Sequence, residues 1–173
     1  MSVTILNRQR AQKINRRRLK KIAATLLAEL EIEKAELGIC LVAAPEMTRL
    51  NETFLKHKGS TDVIAFDYCD KTVRADVRGL IKQKPTLPMG SKTPHVVSHK
   101  NIHGEIFICV DEAVLQARKF GASWQSEVVR YLVHGVLHLV GFDDLSTGAR
   151  RKMKREENRR LREMTRRFPL SKL

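Results

Sequence analysis

The 173-residue sequence has only three cysteines, five prolines and nine aromatic residues (one Trp, two Tyr, six Phe), and each scarcity removes a class of protein. Cys40, Cys69 and Cys109 are widely spaced, odd in number and form no CxxC pair, which argues against a disulfide framework. Cys40 and Cys109 lie in apolar runs, where a free thiol behaves as a small core residue. A reducing cytoplasm is the compartment this usage matches. No apolar run approaches the roughly 20 residues of a membrane-spanning helix; the most apolar stretch, Tyr131–Phe142, contains two histidines. The N-terminal MSVTILNRQR passes from apolar to basic without the apolar core and cleavage site of a secretory signal. So few aromatics leave no evident stacking platform of the kind an RNA-reading sheet displays.

Acid is the other shortage. Against 33 Lys and Arg there are 19 Asp and Glu, giving a formal net charge of +14. Eight Lys/Arg and no acid fall between Arg8 and Lys21, and eleven Lys/Arg against three Glu fall between Gly148 and Leu173. Both segments therefore carry +8, and the rest of the chain sums to −2. A near-neutral body with two cationic ends suits a polyanionic partner, because clustered Lys and Arg gain affinity by releasing phosphate counterions. RNA or DNA is the expected partner, with solubilising basic helix faces as the plainer alternative. The 42% hydrophobic and 30% charged residues are those of a soluble globular chain, and the length suits one domain spanning 1–173.

Periodicity places the elements. Val3–Leu6 reads as a first strand, and Arg16–Leu30 as a helix through Leu19, Ile22, Leu26, Leu27 and Leu30. Leu37–Val42 is β-like, Pro45–Phe54 a short helix with Pro45 in its first turn, and Thr61–Phe66 a β-branched strand. The segment 71–103, rich in Pro and Lys, is expected to be a long basic loop. Glu105–Val110 is a buried strand. Asp111 is placed as the N-cap of a helix that runs through Lys119 and ends near Gly121. Ser123 caps a helix to about Val140, and a basic helix or tail occupies 147–173. Strands alternating with helices predict an α/β or α+β domain.

The chemistry is concentrated in VHGVLHLVGFDD, residues 133–144. His134 and His138, four apart on a helix, lie about 40° apart in azimuth and one turn apart in height, so both imidazoles address one ion. On a continued helix Asp144 would sit about 240° beyond His138, on the wrong face. Gly141 ends the helix in the left-handed conformation and lets the chain double back, bringing the Asp144 carboxylate to the same ion. Two nitrogens and one oxygen are the three protein ligands of a catalytic zinc site with its fourth position open. The helix is otherwise apolar on almost every side, so its two imidazoles need partners; a pair of core histidines bonded to backbone carbonyls is the alternative. The spacing matches metzincin proteases, but Gly135 stands where their general-base glutamate follows the first histidine, which argues against proteolysis.

The stretch His134–Asp144 resembles the H-G-x-L-H-L-x-G-[YF]-D-H signature of the YbeY-type endoribonuclease and rRNA maturation factor family. Two more segments agree in order: Leu50-Asn51 through Thr61-Asp62-Val63-Ile64-Ala65-Phe66, and Gly104-Glu105-Ile106. The resemblance covers roughly residues 35–145 apart from 71–103. It implies a small mixed β-sheet packed with helices around a central metal-bearing helix, with zinc held by His134, His138 and Asp144. It also implies single-strand RNA cleavage in 16S rRNA 3′-end maturation and ribosome quality control. The implied partners are rRNA and ribosomal particles, and a ribosomal protein or ribosome-assembly GTPase is a further candidate. The ion would lower the pKa of bound water towards about 7 and polarise a phosphoryl oxygen. Asp143 is a candidate for ordering water or a ligating imidazole, with a plain turn role as its alternative, and Lys56 and His57 are candidates for holding the RNA backbone.

Three departures stand out. Asp144 occupies a position where histidine is commoner. Leu55, followed by Lys56-His57-Lys58, stands where many members have arginine, and lysine lacks arginine's bidentate fork. The segment 71–103 is longer than usual and carries His95, His99 and His103 at four-residue intervals, a possible second metal site. Two rival readings stay open: a non-catalytic ribosome assembly factor with a structural metal, and a metallohydrolase of some other substrate.

Overall fold

The computed structural model describes residues 1–69 and 101–173. Among them, strands β1 (Ser2–Asn7), β2 (Lys34–Val42), β3 (Val63–Asp67) and β4 (Asn101–Cys109) form one sheet. Its order is β1-β2-β4-β3. β1 and β4 run parallel to β2, while β3 pairs antiparallel with β4 as the mixed edge. Five α-helices accompany it: α1 (Arg16–Glu29), α2 (Ala44–Leu50), α3 (Val110–Phe120), α4 (Trp124–Leu139) and α5 (Thr147–Arg167). The architecture is the α/β, mixed-sheet one expected. No described helix is long and apolar enough to cross a membrane.

Strand alternation divides the interior into two layers. Leu37, Ile39 and Leu41 of β2 and Ile106 and Ile108 of β4 join the main core with Leu19, Ile22, Leu26 and Leu27 of α1, the apolar side chains of α4, and Met153, Leu161 and Met164 of α5. Cys40, Val42, Phe107 and Cys109 point the other way and meet Met47 of α2 and Ile64 of β3. Residues on both faces of β2 and β4 are buried, which is why those strands read as apolar runs without clean alternation. A Cβ added to Gly135 would lie 2.7 Å from Ile106 Cγ2, so α4 rests with its backbone pressed on β4. That close approach fixes the height of both histidines above the sheet.

Several expectations need correction. Pro45–Phe54 is not one helix: α2 ends at Leu50 and a π-helical turn, Asn51–Leu55, follows. Asn51 is buried and its Nδ2 donates to Gly59 O at 2.9 Å, pinning the following loop. Asp111 is not an N-cap. β4 runs straight into α3, so Cys109 holds the cap position and Asp111 lies in the first turn. Its Oδ2 instead accepts from Ala44 N at 2.7 Å, satisfying an amide at the start of α2. The strand around Glu105 begins four residues earlier, at Asn101, so His103 belongs to β4 and not to a loop. There it faces Glu36 of β2, its Nε2 3.6 Å from Glu36 Oε2. His95 and His99, with the rest of the expected loop up to residue 100, lie outside the described residues.

Candidate metal centre

Four local motifs build the site. Ser123 caps α4, its side chain accepting from Ser126 N at 3.2 Å. At the other end Gly141 adopts φ +89°. Gly141 N donates to His138 O at 2.9 Å and Phe142 N to Leu137 O at 3.0 Å, the double bond of a Schellman turn. The turn reverses the chain, and Phe142 O comes back to within 3.1 Å of His138 Nδ1. Asp143 Oδ1 then accepts from Leu145 N at 2.8 Å, and Ser146 caps α5 through Ala149 N at 3.1 Å. Between these two caps Asp144 is held half-buried, its carbonyl accepting from Arg150 Nε at 3.2 Å.

The result brings His134, His138 and Asp144 together: one ligand atom from each lies within 4.8 Å of the other two. Among the described residues this is the one His/Cys/Asp/Glu group so disposed, and His103 is not part of another. The imidazole rings stand 4.7 Å apart at 78°, with Nε2 to Nε2 at 3.1 Å. Both outer nitrogens are anchored. His138 Nδ1 faces the Phe142 carbonyl, and His134 Nδ1 lies 3.0 Å from Glu157 Oε2 of α5. A carbonyl and a carboxylate only accept, so each Nδ1 carries the proton and each Nε2 turns a lone pair inward. Two lone pairs facing at 3.1 Å repel unless a cation lies between them. With zinc–nitrogen bonds of about 2.0–2.1 Å, a tetrahedral ion spans a nitrogen–nitrogen edge of about 3.3 Å. The donor set therefore fits a small divalent ion with little movement. Burial, and next the neighbouring His134, lower the pKa of His138 and keep it in the neutral form that a metal requires.

Glu157 is the hub of the surrounding network. Only 5% of its side chain is exposed, yet besides His134 it accepts from Arg130 Nη1 at 2.9 Å and Lys154 Nζ at 2.7 Å. Burial alone would raise its pKa, but the hydrogen bonds from His134, Lys154 and Arg130 outweigh that and hold the carboxyl at about 2. A carboxylate behind a ligating histidine fixes the tautomer and strengthens the nitrogen as a donor to metal. A pocket of about 200 Å³ opens beside the triad, lined by His134 and Asp144 together with Arg130, Arg150, Lys154, Glu157, Asp62 and Tyr131. The Tyr131 hydroxyl is buried without a hydrogen-bond partner; burial, and next the charge of Asp62, push its pKa up, so it stays a neutral donor.

The other sequence candidates sit apart from this pocket. Asp143 is exposed and engaged in its turn, and Lys56, at φ +59°, curls its Nζ back to Thr53 O at 2.8 Å. His57 is exposed, and none of the three lines the pocket. The residues that do, Glu157, Arg130, Asp62, Arg150 and Lys154, were missed. Arg130 had a signal: Glu127, Arg130, His134 and His138 form the one polar stripe on an apolar helix. Glu157 had none, since nothing marks it among the three glutamates of α5 until the helix azimuth is known.

The family profile described as Endoribonuclease YbeY matches residues 4–165. A protein of that name from Aquifex aeolicus is 29% identical over 169 residues, 98% of this chain and 91% of its own length. One from Salinibacter ruber is 30% identical over 125 residues, 72% of this chain and 68% of its own. One from Myxococcus xanthus is 34% identical over 121 residues, 70% of this chain; the match spans only 34% of that longer protein. The solution structure of TM1509 from Thermotoga maritima superposes with a TM-score of 0.56 at 20% identity, over 94% of this chain and 89% of that one.

Proposed function

The chain belongs to the Endoribonuclease YbeY family, and from that premise we propose that it is a metal-dependent hydrolase that cleaves single-stranded RNA. His134 Nε2, His138 Nε2 and an Asp144 carboxylate oxygen are the ligands, and zinc is the ion the donor set suits best. The carrying observation is the pair of inward lone pairs 3.1 Å apart, each fixed by an acceptor behind it. Bound there, such an ion supplies an acidified water and a polarised phosphoryl oxygen. The chain's own groups do the rest. Glu157 orients His134, and the Phe142 carbonyl orients His138. Arg150 and Lys154, on the pocket wall, meet the phosphodiester with positive charge, while Arg130 is held by Glu157 and Asn158 as the frame behind it. Tyr131 lines the same pocket, its buried hydroxyl an unspent donor.

The biological setting proposed is the cytoplasm, in 16S rRNA 3′-end maturation and ribosome quality control, with rRNA and ribosomal particles as partners; the family membership and the two cationic ends support it. The test pairs elemental analysis with a single-strand RNA cleavage assay on the same preparation. Purified protein is expected to carry about one zinc per chain, to lose cleavage with chelator and to regain it with zinc. His138→Ala should lose both metal and cleavage. A metal-free His138→Ala protein that cleaves at the wild-type rate would refute the scheme.

One observation favours a second reading, that of an assembly factor whose metal is structural. Leu55 stands, 43% exposed, where the resemblance leads one to look for arginine, and Lys56 beside it is tied to Thr53 O away from the pocket. A zinc-loaded protein that binds RNA but leaves it intact would select this reading.

A further inference from the structure

We propose that α5 is a docking rail for single-stranded RNA, leading from the metal pocket to a basic cavity at Phe168 that holds a nucleotide about four to six positions from the scissile phosphate. The inference rests on the nuclease reading for the position of the scissile bond, but the rail itself stands on charge and geometry.

Met153, Glu157, Arg160, Leu161 and Met164 are the buried stripe of α5. Arg151, Arg155, Arg162 and Arg166, spaced by four, seven and four residues, fall on the opposite side within about 60° of azimuth, and all four are exposed. They extend over about 22 Å of helix. Their charge is not neutralised from within α5. Glu157 is taken by Arg130, Lys154 and His134, and Glu156 and Glu163 by Arg159 and Arg160. Arg155, Arg162 and Arg166 make no ion pair among the described residues, and Arg151 reaches only the carbonyl of Thr147. Like charges stacked along one helix edge repel one another, so the arrangement costs stability unless a polyanion lies along it.

A fitting site lies towards each end of α5. At the N-terminal end Arg150 and Lys154 line the metal pocket. At the C-terminal end Phe168 caps the helix and, with Asn15, Arg17, Arg18 and Lys21 of the first turns of α1, lines a cavity of about 290 Å³ with no Asp or Glu in its lining. Asn15 N donates to Leu173 O, which closes the C-terminus over the start of α1. Arg18 Nε is buried there without a hydrogen-bond partner. Three cations, an amide and a half-buried aromatic ring are what a nucleotide uses: phosphate on the guanidinium and ammonium groups, base on the phenyl face. From Lys154 to Phe168 is fourteen residues, about 21 Å. A stacked strand at about 3.4 Å per nucleotide covers that in about six, and an unstacked one in fewer.

The test uses chelator-treated protein, so that binding is read without cleavage, and fluorescein-labelled uridine oligomers of 4, 8 and 12 nucleotides measured by anisotropy across a salt series. Wild-type affinity is expected to climb from the 4-mer to the 8-mer and then level off. Arg155→Gln with Arg162→Gln and Arg166→Gln should lower the magnitude of the salt slope for the 12-mer by about 2, at about 0.7 per phosphate contact on a single strand. That corresponds to about 100-fold weaker binding at 0.1 M salt. Arg17→Gln with Lys21→Gln, both exposed, should flatten the climb between 4 and 8 nucleotides, and gives an independent reading if the triple variant folds poorly by circular dichroism. Wild-type slope and affinity in both variants would overturn the rail. RNA that binds in this pattern but is never cut by the zinc-loaded protein would leave the rail standing and sink the nuclease reading instead.

Discussion

Replacing Glu157 by glutamine is the sharpest probe of how the metal centre is held. The substitution keeps the shape and an acceptor oxygen for His134 Nδ1 but removes the charge that binds Arg130 and Lys154. Holding the carboxyl at about 2 against an ordinary 4.5 is worth about 3 kcal/mol of folding stability at neutral pH, taking 1.36 kcal/mol per unit. The sign follows from the direction of the shift. The folded pKa is depressed, so the contribution is complete above pH 4.5 and fades as pH falls towards 2. Lys154 is more than half exposed and regains water when released, so the measurable loss is smaller, about 2 kcal/mol. Urea unfolding of metal-free protein should show that difference between wild type and Glu157→Gln at pH 7 and very little near pH 2. Zinc affinity, read by competition with a chromophoric chelator, should fall about 10- to 100-fold, because the ligating imidazole loses its anionic partner. Wild-type zinc affinity in Glu157→Gln would refute the claim that this carboxylate tunes the ligand, whatever the stability change.

Three glycine substitutions separate packing from site geometry. Gly135→Ala drives a methyl group to 2.7 Å from Ile106 Cγ2 and should cost about 1–3 kcal/mol, a fall of several degrees in Tm by calorimetry; an unchanged Tm would mean that α4 does not press on β4 as described. Gly141→Ala forces a side chain onto φ +89° and should cost about 1 kcal/mol together with a loss of zinc affinity, since the turn aims both Phe142 O and Asp144. Gly121→Ala, at φ +65° on the end of α3 with open space around it, should cost about as much stability and leave zinc affinity alone. Equal effects of Gly141→Ala and Gly121→Ala on zinc binding would contradict the role given to the Gly141 turn.

What the sequence disclosed and what it hid divide along a physical line. Helix α4 was legible at both ends because Ser123 and Gly141 are local signals whose geometry depends on a few neighbours. The convergence of His134, His138 and Asp144 was legible for the same reason: eleven residues and one turn determine it. The strands were legible in kind but not in extent. β4 starts four residues before its apolar run, at Asn101, because Asn101–Gly104 pair with Lys34–Leu37 whatever their polarity. Asp111 was misplaced because a strand passing directly into a helix removes the turn at which a cap is expected, leaving its carboxylate to serve Ala44 on another helix. Lys56 and His57 stand out in the sequence by charge and by proximity to a motif, neither of which says where a chain leaving a π-helical turn through a left-handed residue will point. The identity of the groups around the His134, His138 and Asp144 triad depended on how α5 docks, a tertiary fact that no window of sequence contains.

That dependence is what joins the site to the rest of the molecule. A buried helix face with two imidazoles needs an acceptor behind each one. For His138 the chain supplies it within four residues, through the carbonyl of the turn that ends the helix. For His134 nothing local is available, and the acceptor comes from α5, twenty-three residues away. α5 is seated by Met153, Leu161 and Met164 in the core and by Arg130 of α4, which reaches Glu157 and Asn158 across the seam, and the azimuth that places Glu157 behind His134 turns Arg155, Arg162 and Arg166 outward. Rotation of α5 by one residue, about 100°, would withdraw the carboxylate from the histidine and swing those arginines off the edge they share. One helix docking thus sets the ligand orientation and the cationic edge together, so a change in the α4–α5 seam acts on metal affinity and RNA affinity in the same direction.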